Sequence, residues 1–472
     1  MNLRITRHLL QFVLTLILAA SRLSALPAAE TTKPDPDRIV VLMSVDGLAN
    51  FYMDDPAADM PTIRKLAADG AKAASMRASD PTVTWPNHTT LVTGVPPAKH
   101  GVLGNNFFDR VKNEKVALIW DPVYDKDQIV KVPTIYDIAK AAGLKTAAIR
   151  WPATRAAHAI DWNSPDLGED TLILNYTTPE LIDECKDAGF KITQKEDGTG
   201  KIGSQSLKEG IEADTMWTKI FNMVLHKHRP NLALHHVVVV DHTEHADGPR
   251  SPEAYEAIKA ADENVRLVWE QLQKDFPGKA TLIVTSDHGF SENKISVLPN
   301  VILKEKGLVE AEGKEVTGGG VRVVPQGGSA LIYIMDDANR DKIIKQVKDA
   351  FAGAEGISSV IGADEFAPYG IANPRRDPHA PDMVLFAKMN YYFGDTAAGS
   401  IPTETKSERR GSHGHDSNFP DLHAMFVVSG AGIKPGTNLG DIDNKSVAPT
   451  IAKLLGVEMP GVEGKPLTEA LQ

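Results

Sequence analysis

Three aspartates stand where apolar runs stop: Asp46 after "RIVVLMSV", Asp241 after "LALHHVVVV" and Asp287 after "ATLIVTS". Any one of them reads as an ordinary turn or helix-cap carboxylate, because Asp favours such positions. With their neighbours they read differently. In "DHTEH" His245 lies one helical turn beyond Asp241, so a short helix or tight loop can aim both side chains at one point. "DHG" joins Asp287 to His288, and "GSHGHD" adds His413 in a glycine-flanked loop. Carboxylates and imidazoles without a thiolate suit zinc or a similar divalent ion. Six such groups divide into two sites of three ligands, each leaving an open position. Two ions roughly 3.5–4 Å apart can clamp the attacking and leaving oxygens of an in-line displacement.

"TWPNHTTLVTG", beginning at Thr84, supplies what such a pair of ions would need. Thr84 sits at the start of a helical run, where free backbone N–H groups and the helix dipole favour an anion such as a phosphoryl oxygen. Its hydroxyl there is either a nucleophile or an ordinary helix cap, a role threonine often fills.

Positioning these groups falls to alternating strands and helices. Continuous apolar strands are the mark of a parallel sheet covered on both faces. A helical pattern from Pro252 to Phe276 supplies a crossover, "MPTIRKLAADG" reads as an amphipathic helix closed by Gly70 as its C-terminal cap, and "LHAMFVVSG" reads as a late buried strand. The expected fold class is α/β, a doubly wound, mostly parallel sheet whose ligands lie outside the carboxyl ends of the strands. Two stretches read as insertions on that core: residues 161–210, with Cys185 in a short helix, and residues 294–408, with strands "SALIYIM" and "DMVLFAK" and a helix "NRDKIIKQVKDAF".

The N-terminus carries Arg4 and Arg7, then an apolar stretch from Leu9 to Ala20, then small residues ending at Ala25. This is the pattern of a secretory signal over residues 1–25, followed by a linker at 26–37 and the catalytic domain at 38–472. The apolar run is shorter than the roughly 20 residues of a bilayer span, so no membrane anchor is expected once it is removed. Periplasmic or secreted location follows. Cys185 is the sole cysteine, so no internal disulfide forms and an exported chain relies on its core or on metal. The formal charge of −11 over 472 residues, with no basic tract, excludes a nucleic-acid coating role but not an anionic small molecule held by metal.

Assembled in order, "SVDG", "TWPNHTTLVTG" with "KHGVLGN", "DHTEHADGP", "TSDHG" and "GSHGHD" resemble the alkaline phosphatase superfamily, and within it the type I phosphodiesterase/nucleotide pyrophosphatase family. The resemblance implies Thr84 as nucleophile and Asn105, which closes the H-G-x-x-x-N stretch, as a ligand of a non-bridging phosphate oxygen. It implies one ion on Asp241, His245 and His413 and a second on Asp46, Asp287, His288 and Thr84, both usually zinc. His413 is chosen over His415, which becomes a supporting or solvent residue; His88, His235, His236 and His423 read as packing or hydrogen-bonding histidines.

The implied reaction is a ping-pong hydrolysis of phosphodiester or pyrophosphate bonds, on nucleotide-like small molecules, through a phosphothreonine. "TAAIRWPATR" carries the W-P feature of phosphodiesterases in Trp151 and Pro152 and lacks the Lys-x-Arg of the monoesterase branch, although Arg150 and Arg155 keep a phosphomonoesterase or phosphonate hydrolase open. Trp85 either stacks on a nucleobase or aryl group or simply covers the core. An exported binding protein without turnover is the alternative from another class, and every expected site position being filled speaks against it.

Overall fold

The computed structural model describes residues 34–192, 206–400, 403–404 and 410–472. The expected leader and most of the linker lie outside these residues, as do parts of both expected insertions. Asp35–Gln472 form one compact unit.

Its centre is an eight-stranded sheet. In chain order the strands are β1 (Ile39–Val45), β2 (Ala71–Lys72), β3 (Thr146–Trp151), β4 (Trp162–Pro165), β5 (Leu232–Val237) and β6 (Ala280–Thr285). Four strands, β7 (Val321–Pro325), β8 (Ser329–Ile334), β9 (Ile357–Gly362) and β10 (Met383–Ala387), make a separate sheet before β11 (Phe426–Gly430) and β12 (Thr437–Asn438) complete the first. The central order is β12-β2-β11-β6-β1-β5-β3-β4, in which β6, β1, β5, β3 and β4 run parallel and β11 runs antiparallel to β6.

The helices that matter for the site are α1 (Pro61–Asp69), α2 (Thr84–Thr93), α3 (Leu207–His228), α4 (Val239–Asp247), α5 (Pro252–Asp275) and α6 (Val447–Leu455). Side chains of β1 alternate between the two faces. Ile39, Val41, Met43 and Val45 enter a core with α3 and α5, whereas Val40 and Leu42 enter a second core with α2 and α6. Every residue of β1 is buried, and full burial of such a side chain is worth about 1.5–3 kcal/mol. The doubly covered, mostly parallel sheet is the one the apolar runs predict.

Three local expectations change. The run "LALHHVVVV" does not extend as a strand to Asp241: β5 stops at Val237, Val238 turns into the helical region, and α4 starts at Val239. Four valines in a row carry no periodicity that separates a buried strand from a buried first helical turn. Gly70 does follow α1, but at φ −131° it is not a left-handed cap; a Cβ there would lie 2.1 Å from the carbonyl oxygen of Val428, so the glycine permits close approach of α1 to β11. The stretch 161–210 is not a pure insertion, since it holds the edge strand β4 and the start of α3. Residues 294–408 do carry their own antiparallel sheet, ordered β7-β8-β10-β9, with its own apolar core.

Candidate metal centre and nucleophile

Parallel pairing puts the carboxyl ends of β1, β5 and β6 side by side, and the functional side chains leave from there. Asp46 follows β1, and its backbone N–H donates to Val237 at the end of β5 (2.8 Å). Asp287 and His288 follow β6, and Asp287 Oδ1 accepts from the Gly47 N–H (3.2 Å). The abrupt turn from β5 into α4 brings Asp241 and His245 to the same end. His413 arrives from the loop before β11. The structure thus gathers all six groups that the spacing singled out.

Each histidine is oriented by its own backbone contact. Nδ1 of His245 donates to Gly411 O (3.0 Å), that of His288 to Gly289 O (3.1 Å) and that of His413 to Thr82 O (3.0 Å). In a neutral imidazole this leaves Nε2 as the acceptor nitrogen, the arrangement expected of a metal-ligating histidine. The Nε2 atoms converge on the carboxylates. His413 Nε2 is 3.4 Å and His245 Nε2 3.5 Å from Asp241 Oδ1, and His288 Nε2 lies 3.4 Å from Asp46 Oδ1 and 3.2 Å from Asp287 Oδ2. His245 and His413 bring their Nε2 atoms within 3.2 Å of each other. Two lone pairs that close repel unless a cation sits between them.

Burial sharpens the point. Asp46 Oδ1, Asp241 Oδ1, Asp287 Oδ2 and His288 Nε2 are buried without a hydrogen-bond partner. Burial, followed by the charge of Asp241, pushes Asp46 well above the ordinary carboxylate range; burial and then Asp46 do the same to Asp287. Burial would raise Asp241 too, but His245 and His413 hold it well below. Burial and the charge of His413 push His288 well below the usual imidazole value. A cluster of this kind is expensive without a compensating positive charge. Its donor set and its orphaned atoms fit divalent cations, with Asp241, His288 and His413 in one compact group and Asp46, Asp287 and His288 in another. His288 belongs to both groups, whereas the family resemblance implies His245 for the first ion.

Thr84 is the first residue of α2. The N-cap is Val83, which makes no side-chain cap, so the Thr84 hydroxyl is not spent as the cap that the local sequence also allowed. It lines a pocket of about 530 Å³ together with Asp46, Asp241, His245 and His413. Asn105 lines the same pocket, and its side-chain oxygen accepts the Trp85 N–H (2.9 Å), which leaves its NH2 as the donor. Trp85 is 4 % exposed and packs with Val102, Phe107 and Leu118, and it is also among the residues that line the pocket.

Two residues at the centre escape sequence reasoning. His236 is a hydrogen-bonding histidine as expected, but its partner is Asp46: Nε2 reaches Oδ2 at 3.0 Å, with Nδ1 on the Arg150 carbonyl at 3.1 Å. Alternation along β5 puts His236 on the face of Leu232 and Leu234, the face that α2 covers, which was the available signal. Gln326, in the turn between β7 and β8, has no local signal. Its Oε1 accepts the Asn105 N–H (2.9 Å) and its Nε2 donates to Asn106 O (2.8 Å), so the separate sheet clamps the Asn105 loop. Gln326→Ala is expected to lower kcat/KM by about 10–100-fold, the cost typical of a supporting contact, with metal content unchanged by elemental analysis.

The histidines read as packing or hydrogen-bonding groups are buried or half-buried. His88 Nδ1 meets Thr84 O (2.9 Å) and its ring lies against His236; His235 bonds Thr218 (3.0 Å) and stacks on Phe221. His423 is half-enclosed at the end of a short turn. His415 is not a solvent residue: it is fully buried, bonds Tyr391 O (2.8 Å) and lies where a Cβ on Gly328 would come within 2.1 Å. Arg155 is bound away from the pocket by Asp125 (3.0 Å) and the Tyr176 ring, while Arg150 lines it.

Residues 40–416 match the family model described as type I phosphodiesterase / nucleotide pyrophosphatase. The chain belongs to this family. Among curated relatives, human ectonucleotide pyrophosphatase/phosphodiesterase family member 1 is 25% identical over 440 residues, covering 91% of this chain and 41% of the relative. A venom phosphodiesterase of Naja atra is 23% identical over 420 residues, covering 88% and 44%. The chain therefore spans about two fifths of the length of the curated relatives it matches. Among solved structures, murine ectonucleotide pyrophosphatase / phosphodiesterase 5, in an inactive form in complex with AMP, superposes with a TM-score of 0.66 at 19% identity, covering 92% of this chain and 100% of that one. This likeness establishes the shared fold, the alkaline phosphatase-like α/β core that the family resemblance implies. No helix among the described residues is long and apolar enough to cross a membrane.

Proposed function

We propose that this family member is an exported hydrolase of phosphodiester or pyrophosphate bonds in nucleotide-like small molecules, acting through a phosphothreonine on Thr84. The observation that carries the reading is the convergence of three backbone-oriented imidazoles and three buried carboxylates beside a helix-initial threonine that caps nothing. Two divalent ions, zinc by the donor chemistry, would be held by Asp241, His245 and His413 and by Asp46, Asp287, His288 and Thr84. Bound there, such ions supply Lewis-acid stabilisation of charge on phosphoryl and ester oxygens.

The chain's own residues do the rest. Thr84 Oγ1 attacks phosphorus from the start of α2, whose dipole favours the incoming anion; as its bond to phosphorus forms, the bond from phosphorus to the ester or pyrophosphate oxygen breaks, and the hydroxyl proton leaves to solvent or to the departing oxygen. Asn105 offers its NH2 to a non-bridging oxygen, held in place by Trp85 from one side and Gln326 from the other. Water then cleaves the phosphothreonine and restores the hydroxyl, the second half of a ping-pong cycle. Trp120 and Tyr392, which line the pocket, give the organic part of the substrate aromatic walls. The names of the relatives, which place them as ecto-enzymes and a venom enzyme, and the leader pattern support export to the periplasm or medium.

A monoesterase reading is favoured by one observation, Arg150 on the pocket wall. Metal-replete protein assayed with bis-p-nitrophenyl phosphate and p-nitrophenyl phosphate separates the two, and a higher kcat/KM for the diester is expected. A ratio favouring the monoester would reassign the enzyme. No hydrolysis of either ester by protein with bound metal would favour the binding protein.

A further inference from the structure

Arg150 sits in an unusual way. It occupies the end of β3, where the register to β4 shifts between Ile149 and Trp151, and its φ is +61°, a left-handed conformation that a side chain other than glycine adopts at a cost. Bulges of this kind re-aim a side chain. Here the bulge turns a guanidinium inward: Arg150 is 4 % exposed and is the single arginine or lysine among the described residues lining the catalytic pocket.

Two fixtures hold it. Nη2 pairs with Asp166 Oδ1 at 2.7 Å, itself buried, and the guanidinium carbon lies 5.7 Å from the Trp217 ring centroid. Nη1 is buried and has no hydrogen-bond partner. An arginine presents a rigid fork suited to gripping an anion by two parallel bonds, and one arm of this fork is idle. Leaving a buried charged donor unsatisfied costs free energy that a purely structural ion pair has no reason to bear. Asp46 and Asp241 on the same wall belong to the metal-site cluster, so among the described lining residues Arg150 is the one side chain of fixed positive charge.

We infer that Arg150, braced by Asp166, is an anion-reading group of the catalytic pocket, which adds to the binding of phosphoric esters bearing a second negative charge without setting the overall preference between diester and monoester. The inference rests on the hydrolase reading above and narrows its substrates. That charge can belong to the reacting phosphorus, as in a monoester dianion, or to a neighbouring phosphate, as in a nucleoside polyphosphate, and both present the same chemistry to a guanidinium.

The test uses metal-loaded protein and four probes: p-nitrophenyl thymidine 5′-phosphate as the singly charged diester, p-nitrophenyl phosphate, ATP, and inorganic phosphate as competitive inhibitor. In Arg150→Met the loss of kcat/KM on p-nitrophenyl phosphate, on ATP or on both is expected to exceed the loss on the diester by at least about tenfold, the scale of a charge-assisted contact. The inhibition constant of inorganic phosphate is expected to rise by a similar factor. Loss confined to p-nitrophenyl phosphate locates the second charge on the reacting phosphorus, and loss confined to ATP locates it on the neighbouring phosphate. Equal losses on all three esters with an unchanged inhibition constant overturn the inference. Should Arg150→Met fail to fold, Arg150→Lys carries the same comparison, since a point charge cannot reproduce the fork; unaltered discrimination and inhibition in that variant overturn it equally. Wild-type protein inert toward every ester would instead remove the hydrolase reading itself.

Discussion

Thr84→Ala is expected to reduce kcat/KM on an aryl phosphodiester by at least about a thousandfold while leaving fold and metal content intact. The separation of chemistry from stability comes from local structure. Val83 is the N-cap of α2, so removing the hydroxyl costs no cap, and alanine is a better helix former than threonine. Asp46, Asp287 and His288 still offer three donors to one ion, and Asp241, His245 and His413 to the other. What disappears is the atom that bonds to phosphorus, and the other donors of the pocket then act on water alone. Thr84→Ser keeps a hydroxyl in place and is expected to retain a measurable part of the activity. Circular dichroism, thermal unfolding and elemental analysis give the control; near-normal turnover in Thr84→Ala would mean that another group attacks.

Parallel strands explain why so much of this site can be read along the chain. Neighbouring strands that run the same way end at the same edge, so residues that follow apolar runs become neighbours without any knowledge of the topology. Asp46, Asp287 and His288 are legible for that reason, and Asp241 with His245 through their helical spacing. Legibility fails where a side chain acts across the sheet or between sheets. His236 is hidden inside an apolar strand, and only the face on which β5 places it shows that it meets Asp46. Gln326 reaches Asn105 from a separate sheet more than two hundred residues away in sequence, a contact with no periodicity to announce it. Gly70 illustrates the same limit: its type is explained by a close approach to Val428, not by the helix end beside it.

The separate antiparallel sheet consequently reaches the candidate site. Its β7–β8 turn supplies Gln326 to the Asn105 loop, and the following glycines admit the His413 loop: Gly328 N–H donates to His413 O (2.7 Å), and a Cβ on Gly327 would come within 2.3 Å of that oxygen. One short turn therefore touches both the Asn105 loop and the loop that carries His413.

Removal of metal is expected to have an effect as large as loss of Thr84, and to reach stability as well. Stripping the protein with a chelator should abolish hydrolysis, and added zinc should restore it at two equivalents per chain by elemental analysis. The stripped protein should also unfold at a lower temperature. An ion bound only by the folded chain stabilises it by RT ln(1 + [L]/Kd), about 4 kcal/mol at a thousandfold excess over Kd. Here an ion would also relieve the burial of Asp46, Asp287 and Asp241, each of which has one buried oxygen without a hydrogen-bond partner. Single variants apportion the ligands. If the first ion rests on Asp241, His245 and His413, His245→Ala should hold one equivalent and leave the Asp46 group filled. If His288 serves both ions, as its place in both compact groups suggests geometrically, His288→Ala should lose more metal than His245→Ala does. Full activity in chelator with no metal by elemental analysis would leave the converging Nε2 atoms and buried carboxylates without a purpose, and the hydrolase reading would fall with them.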